Sequence, residues 1–133
     1  MSTVITDNLT GKTAAGNVTI TSEGGSATQS LQQGLAKAWN TIDGTGTISS
    51  YDSFNATSTV DNSTGNYSTN LTNAMSNAKH TASGSSGFAN GSGYTYIVVF
   101  PNSTTEIRSN NAQDGSGEQD VDPVTHHTHG DLA

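Results

Sequence analysis

Along much of the chain apolar residues come singly, at alternate positions, between small polar ones. Tyr67, Thr69 and Leu71 would share one face of an extended segment, with Ser68, Asn70 and Thr72 on the other, and a period of two marks a half-buried strand. The same reading predicts a strand from about Lys37 onward. Lys37, Trp39 and Thr41 lie on one face, and Ala36, Ala38, Asn40 and Ile42 on the other. "DGTG" at 43–46 and "DNSTGN" at 61–66 read as tight turns. They bracket a strand in "TISSYDSFNATSTV" (47–60), which "YSTNLTNAM" (67–75) answers as an antiparallel partner. "NAMSNAK" is a connection, "HTASG" a short strand and "SSGFANGSG" (85–93) a loop. "YTYIVVFP" (94–101) is the most apolar run. It predicts a central strand buried on both faces and ended by Pro101, with "TTEIRS" (104–109) as its neighbour.

The remainder is less regular. "NNAQDGSGEQD" (110–120) reads as an acidic loop, and "VDPVTHHTHGDLA" (121–133) as a short tail with one more strand around Val121 to Thr125. A helical period occurs at Leu31, Leu35 and Ala38, weakened by about 1 kcal/mol at Gly34, so residues 28–36 stay open between helix and strand. Before them, "STVIT" and "GNVTIT" are short strand candidates, and "SEGGS" (22–26) is a flexible break. These readings give an all-β fold, a small antiparallel β-sandwich of jelly-roll-like character. Residues 1–26 form an extended N-terminal anchoring arm and hinge, and residues 27–133 a body with a C-terminal tail.

Composition adds a constraint. Of the 133 residues, 30% are hydrophobic and 11% charged, against about 45–50% and about 25% in ordinary domains. A monomer of this length has little to bury. Yet Thr, Val, Ile and Tyr abound while Pro, Lys and Arg are scarce, which favours strands over disorder, so a β-rich oligomer is expected. The formal net charge of −7 argues against nucleic acid and against anionic membrane surfaces as partners. No apolar run approaches the length of a membrane span, and "MSTVITDNLTG" has no signal-peptide pattern. The absence of cysteine removes disulfides, thiolate zinc sites and a Cys nucleophile.

The stretch "LAKAWNTIDGTGTISSYDSFNATSTVDNSTGNYSTNLTNAMSNA" (35–78) resembles a module of tail-fibre-like virion proteins of tailed bacteriophages, especially phages of marine bacteria. The matching residues are Ala36 to Trp39, Gly44 to Thr47, Ser53 to Asn55, Asp61 and Asn62, Gly65 to Tyr67, and Ala74 to Ala78. Asn40, Ser76 and His80 depart from the module, which carries an apolar residue, a proline and an aromatic at those places. The resemblance implies a virion structural protein, assembled in the host bacterial cytoplasm. It implies a fibre-like appendage subunit, homotrimeric, joined to other virion proteins through the N-terminal arm and involved in host attachment. The alternative is a head decoration, capsid fibre or tail adaptor with a purely structural role. The resemblance carries over no catalytic residue.

Candidate chemistry is sparse. His127 and His129 form a His-x-His pair whose rings would point the same way on a strand, a pattern that suits a divalent metal where copies meet on an axis; a solvated polar tail, or rings hydrogen-bonded at an interface, is the preferred reading, and no metal site is expected. Asp114, Glu118, Asp120 and Asp122 alternate like calcium ligands, without the glycine and glutamate spacing of an EF-hand. No G-x-S-x-G elbow or P-loop is present, and His80 has no nucleophile partner in sequence, so no enzyme and no cofactor are expected. Trp39, Tyr94 and Tyr96, with Asn and Asp nearby, are candidates for contact with a host surface glycan. Against this, Trp39 in its well-matched strand is expected to be buried in the sheet or at a subunit interface.

Overall fold

A computed structural model describes residues 3–14, 16–87 and 94–133. Contacts divide the chain into two compact units, Met1–Leu35 and Ala36–Ala133. In the first, β1 (Thr19–Thr21) and β2 (Thr28–Ser30) form an antiparallel hairpin. One helical turn follows, α1 (Leu31–Gly34), capped by Ser30, whose hydroxyl accepts from the Gln33 amide. Residues 28–36, open in the sequence, thus take both forms in succession. Pairing with β1 draws β2 into the first unit, so the division falls after Leu35, whereas the sequence placed it after Ser26. "STVIT" forms no strand within its described residues, and Val4 and Ile5 are exposed.

The second unit is a sandwich of two antiparallel sheets. One has the order β4 (Ser49–Phe54), β3 (Ala38–Asp43), β11 (Val124–His129), β7 (Thr81–Ser86). The other runs β5 (Ala56–Ser63), β6 (Asn66–Leu71), β9 (Glu106–Gln113), β8 (Thr95–Ser103), with the two-residue β10 (Gly117–Glu118) also paired to β9. Hairpins join β3 to β4, β5 to β6 and β8 to β9, while β4→β5, β6→β7, β7→β8 and β10→β11 cross between sheets.

The core explains how so polar a chain folds. One apolar cluster holds Ile42, Tyr67, Val121 and Val124, and a second holds Ala38, Leu71, Met75 and Ile107. Between them lies a belt of buried polar residues. Asn40 sits between Ala38 and Ile42 on β3, Thr69 between Tyr67 and Leu71 on β6, and His126 between Val124 and Thr128 on β11. Asn40 Nδ2 donates to Thr59 Oγ1 and Thr69 Oγ1, both at 3.0 Å, and Thr69 Oγ1 lies 2.9 Å from His126 Nδ1. A buried polar group is tolerated when hydrogen-bonded, and these bonds cross from sheet to sheet. Position 40 thus carries an amide that bridges the layers.

Four expectations need correction. The run at 94–101 is not a central strand. β8 pairs only with β9 among the described residues, its outer face is exposed, and Pro101 lies within the strand at a register shift, as an edge permits. The C-terminal "tail" is β11, a central strand flanked by β3 and β7. The single strand read over 47–60 is two, broken at Asn55, which has a φ of 55° and turns the chain from one sheet to the other. The β5–β6 turn is tighter than the six residues read for it, with Gly65 at a φ of 70°. The loop read at 85–93 falls largely on 88–93, outside the described residues.

Candidate functional site

Register on the first sheet places aromatic and polar side chains in rows on its outer face. Along β3 the residues alternate, with Ala38, Asn40 and Ile42 buried and Trp39, Thr41 and Asp43 turned outward. Trp39 is opposite Phe54 on β4 and His127 on β11, and His127 is opposite Ser83 on β7. Cross-strand partners share a face, so Phe54, Trp39, His127 and Ser83 form one row. The next row is Asp52, Thr41, Thr125 and Ser85. An irregularity between Thr41 and Ile42 in the β3–β4 register ends the regular rows there, at Tyr51.

Phe54 is 54% exposed, Trp39 is half-buried and His127 is exposed. Trp39 is therefore not enclosed by its own chain. Among the described residues the side chains of Thr41, Ser83, His127 and His129 make no hydrogen bond, and their donors and acceptors stand open beside the aromatic pair. Thr125 and Ser85 are tied to one another, hydroxyl to hydroxyl at 2.9 Å. Carboxylates stand at one end. Tyr51 Oη donates to Asp122 Oδ2 at 3.0 Å, and this bond, with desolvation and the charges of Asp122 and Asp43, pushes the phenol up to about 12. Hydrogen bonds from the Thr45 hydroxyl and amide hold Asp43 below the usual carboxylate range.

The outer face of the other sheet is differently made. Asn62 Nδ2 donates to Asn66 Oδ1 and Ser68 Oγ, and Asn66 Nδ2 to Asn110 Oδ1. Arg108 pairs with Glu106 at 2.9 Å, and Glu106 also accepts from Ser68 and Asn102. Burial alone would raise the Glu106 carboxyl, but these bonds outweigh it and hold the group low. These groups satisfy one another and leave few free donors for a ligand. Tyr96 lies on this face, and Tyr94, 83% exposed, precedes β8. The structure does not bring them to Trp39.

The remaining candidates disperse. His127 and His129 share the outer face of β11, while His126, which precedes them, is buried on the inner face. Asp114 and Glu118 are exposed. Asp120 Oδ1 accepts from Tyr67 Oη and the Gly65 amide, and Asp122 is bound to Tyr51. Among the described residues no three His, Cys, Asp or Glu side chains are placed to hold a metal ion. His80 is buried, with Nδ1 at 2.6 Å from Thr128 Oγ1 and Nε2 at 3.1 Å from the Ser103 carbonyl, a packing role. In the first unit an apolar cleft of about 300 Å³ is lined by Leu9, Gly16, Val18, Leu31, Gln32 and Leu35.

Sequence reasoning missed Phe54 and His127 as neighbours of Trp39. The signal that could have found them is the alternation of β3 extended across two partners, which requires a register that the irregularity at Tyr51 obscures. Compared with protein-family models, curated proteins and solved structures, the chain matches none.

Proposed function

We propose that this chain is a bacteriophage virion structural protein, a fibre-like appendage subunit that assembles with copies of itself and contacts a host surface glycan. The resemblance over residues 35–78 supports the virion part. The observation that carries the contact is the Phe54–Trp39–His127 row. A sugar ring offers a C–H face and a rim of hydroxyls. Aromatic faces accept the first, and open hydroxyl and imidazole groups bond the second. Asp52 in the adjoining row and the net charge of −7 disfavour an anionic glycan, so the ligand is a neutral one. No step of bond making or breaking is required of any residue.

The test has two arms. An array of bacterial surface polysaccharides probed with the protein should show neutral glycans bound, with binding lost in Trp39→Ala and Phe54→Ala. Electron microscopy of particles labelled on this protein should place the label on a tail appendage. Label on the head would instead favour the decoration or adaptor role.

A further inference from the structure

β8 is apolar on both faces. Ile97 and Val99 point inward and pack against the two core clusters. Tyr96 and Val98 point outward and remain 54% and 58% exposed, and Phe100 continues their stripe, half-buried. An antiparallel strand with one wet face alternates apolar with polar residues, whereas a strand apolar on both faces is covered on both. Among the described residues only the inner face of β8 is covered. The neighbouring strands are polar on that outer side, with Glu106, Arg108 and Asn110 on β9 and Asn66, Ser68 and Asn70 on β6. Among the described residues of this face the exposed apolar side chains cluster on β8, with Val60 apart from them on β5, and such a contiguous patch marks an interaction site.

We propose that the outer stripe of β8, formed by Tyr96, Val98 and Phe100, is the surface through which copies of this chain meet. Its occupant follows from charge. Tyr96 is opposite Ala112 and Val98 opposite Asn110, both uncharged. The nearest ionisable group across the strands is Arg108, opposite Phe100, and it is neutralised by Glu106 at 2.9 Å. Two copies that each carry a formal charge of −7 repel, and the repulsion is least where neutral surface meets neutral surface. An apolar stripe against its own copy is self-complementary. A glycan fits this stripe less well, because Asn110 Oδ1 is already occupied by Asn66 Nδ2 at 2.8 Å. The inference rests on the self-assembly part of the proposed function and names the surface that serves it.

The chain contains no cysteine, so single-cysteine variants report proximity cleanly. Full-length Val98→Cys and, on the outer face of the other sheet, Ser83→Cys are treated with a short bis-maleimide, beside light scattering of the unmodified protein and of Tyr96→Arg. The expected result is a mass above the monomer, covalent dimers from Val98→Cys but not from Ser83→Cys, and loss of the associated species in Tyr96→Arg with an unchanged circular dichroism spectrum. Association with equal cross-linking at both positions, or Tyr96→Arg retaining the full mass, overturns the surface and leaves self-assembly standing. A monomer at every concentration, with no cross-link, overturns both.

Discussion

Asn40 on β3 and His126 on β11 are opposite one another on the inner face of one sheet, and both reach the same hydroxyl, Thr69 Oγ1, on the other. Asn40 Nδ2 donates to that oxygen, and His126 Nδ1 lies 2.9 Å from it. The ring is enclosed in the core, and burial disfavours its charged form. The belt that divides the core is thus built on an imidazole that must stay uncharged.

Acid should loosen it. Burial, with a smaller contribution from the His127 charge, lowers the His126 pKa from 6.5 to about 4. Between those values the unfolded chain binds more protons than the folded one. The contribution is therefore fully present above about pH 6.5 and is lost as pH falls toward 4, amounting to about 3 kcal/mol. Urea melts at pH 7 and pH 4.5 should show the wild type losing much of this stability, and His126→Gln losing distinctly less. Parallel losses in both proteins would place the acid sensitivity elsewhere.

Asn55 makes a second device visible. At a φ of 55° its Nδ2 donates to the Lys37 carbonyl at 2.9 Å, and its Oδ1 accepts from the Asn73 amide at 2.7 Å. Asn55→Ala brings left-handed strain and removes these bonds, and should cost about 2–3 kcal/mol in a denaturant melt, while Asn55→Gly relieves the strain and should cost about half as much. An alanine variant as stable as the glycine variant would show that the backbone conformation is not under strain there.

The β3 and β6 strands were legible because Ala38, Ile42, Tyr67 and Leu71 alternate with outward residues over a recognisable period. β11 was legible only at its start, within the strand read around Val121 to Thr125. Its inward set is Val124, His126 and Thr128, and a strand with two of three buried positions polar carries little hydrophobic period. The misplacement of β8 has the opposite cause. Its sequence shows that both faces want cover, yet it cannot show whether the cover belongs to the same molecule. The outer row of Phe54, Trp39 and His127 depends on register across three strands, and while Trp39 was singled out for glycan contact and His127 for its His-x-His spacing, nothing in the sequence joined them to Phe54.

The division after Leu35 predicts that residues 36–133 fold alone. Every strand of the two sandwich sheets lies within that span. Deletion of residues 1–35 should leave a cooperative thermal transition and the β-sheet circular dichroism signal. A truncated protein without such a transition would show that the first unit completes the core.

The central claim is that Trp39 contacts a glycan, and Trp39 is the one tryptophan of the chain, so its fluorescence reports on the site directly. The decisive measurement is a fluorescence titration of the wild type and of Phe54→Ala with a neutral bacterial surface polysaccharide selected on the array. Half-exposed tryptophan that becomes covered should shift its emission to the blue along a saturating curve, with the response weakened at least tenfold in Phe54→Ala, about 1.4 kcal/mol of binding free energy. Polysaccharide binding that leaves the tryptophan emission unchanged, or a response that Phe54→Ala does not weaken, would contradict the assignment of this face.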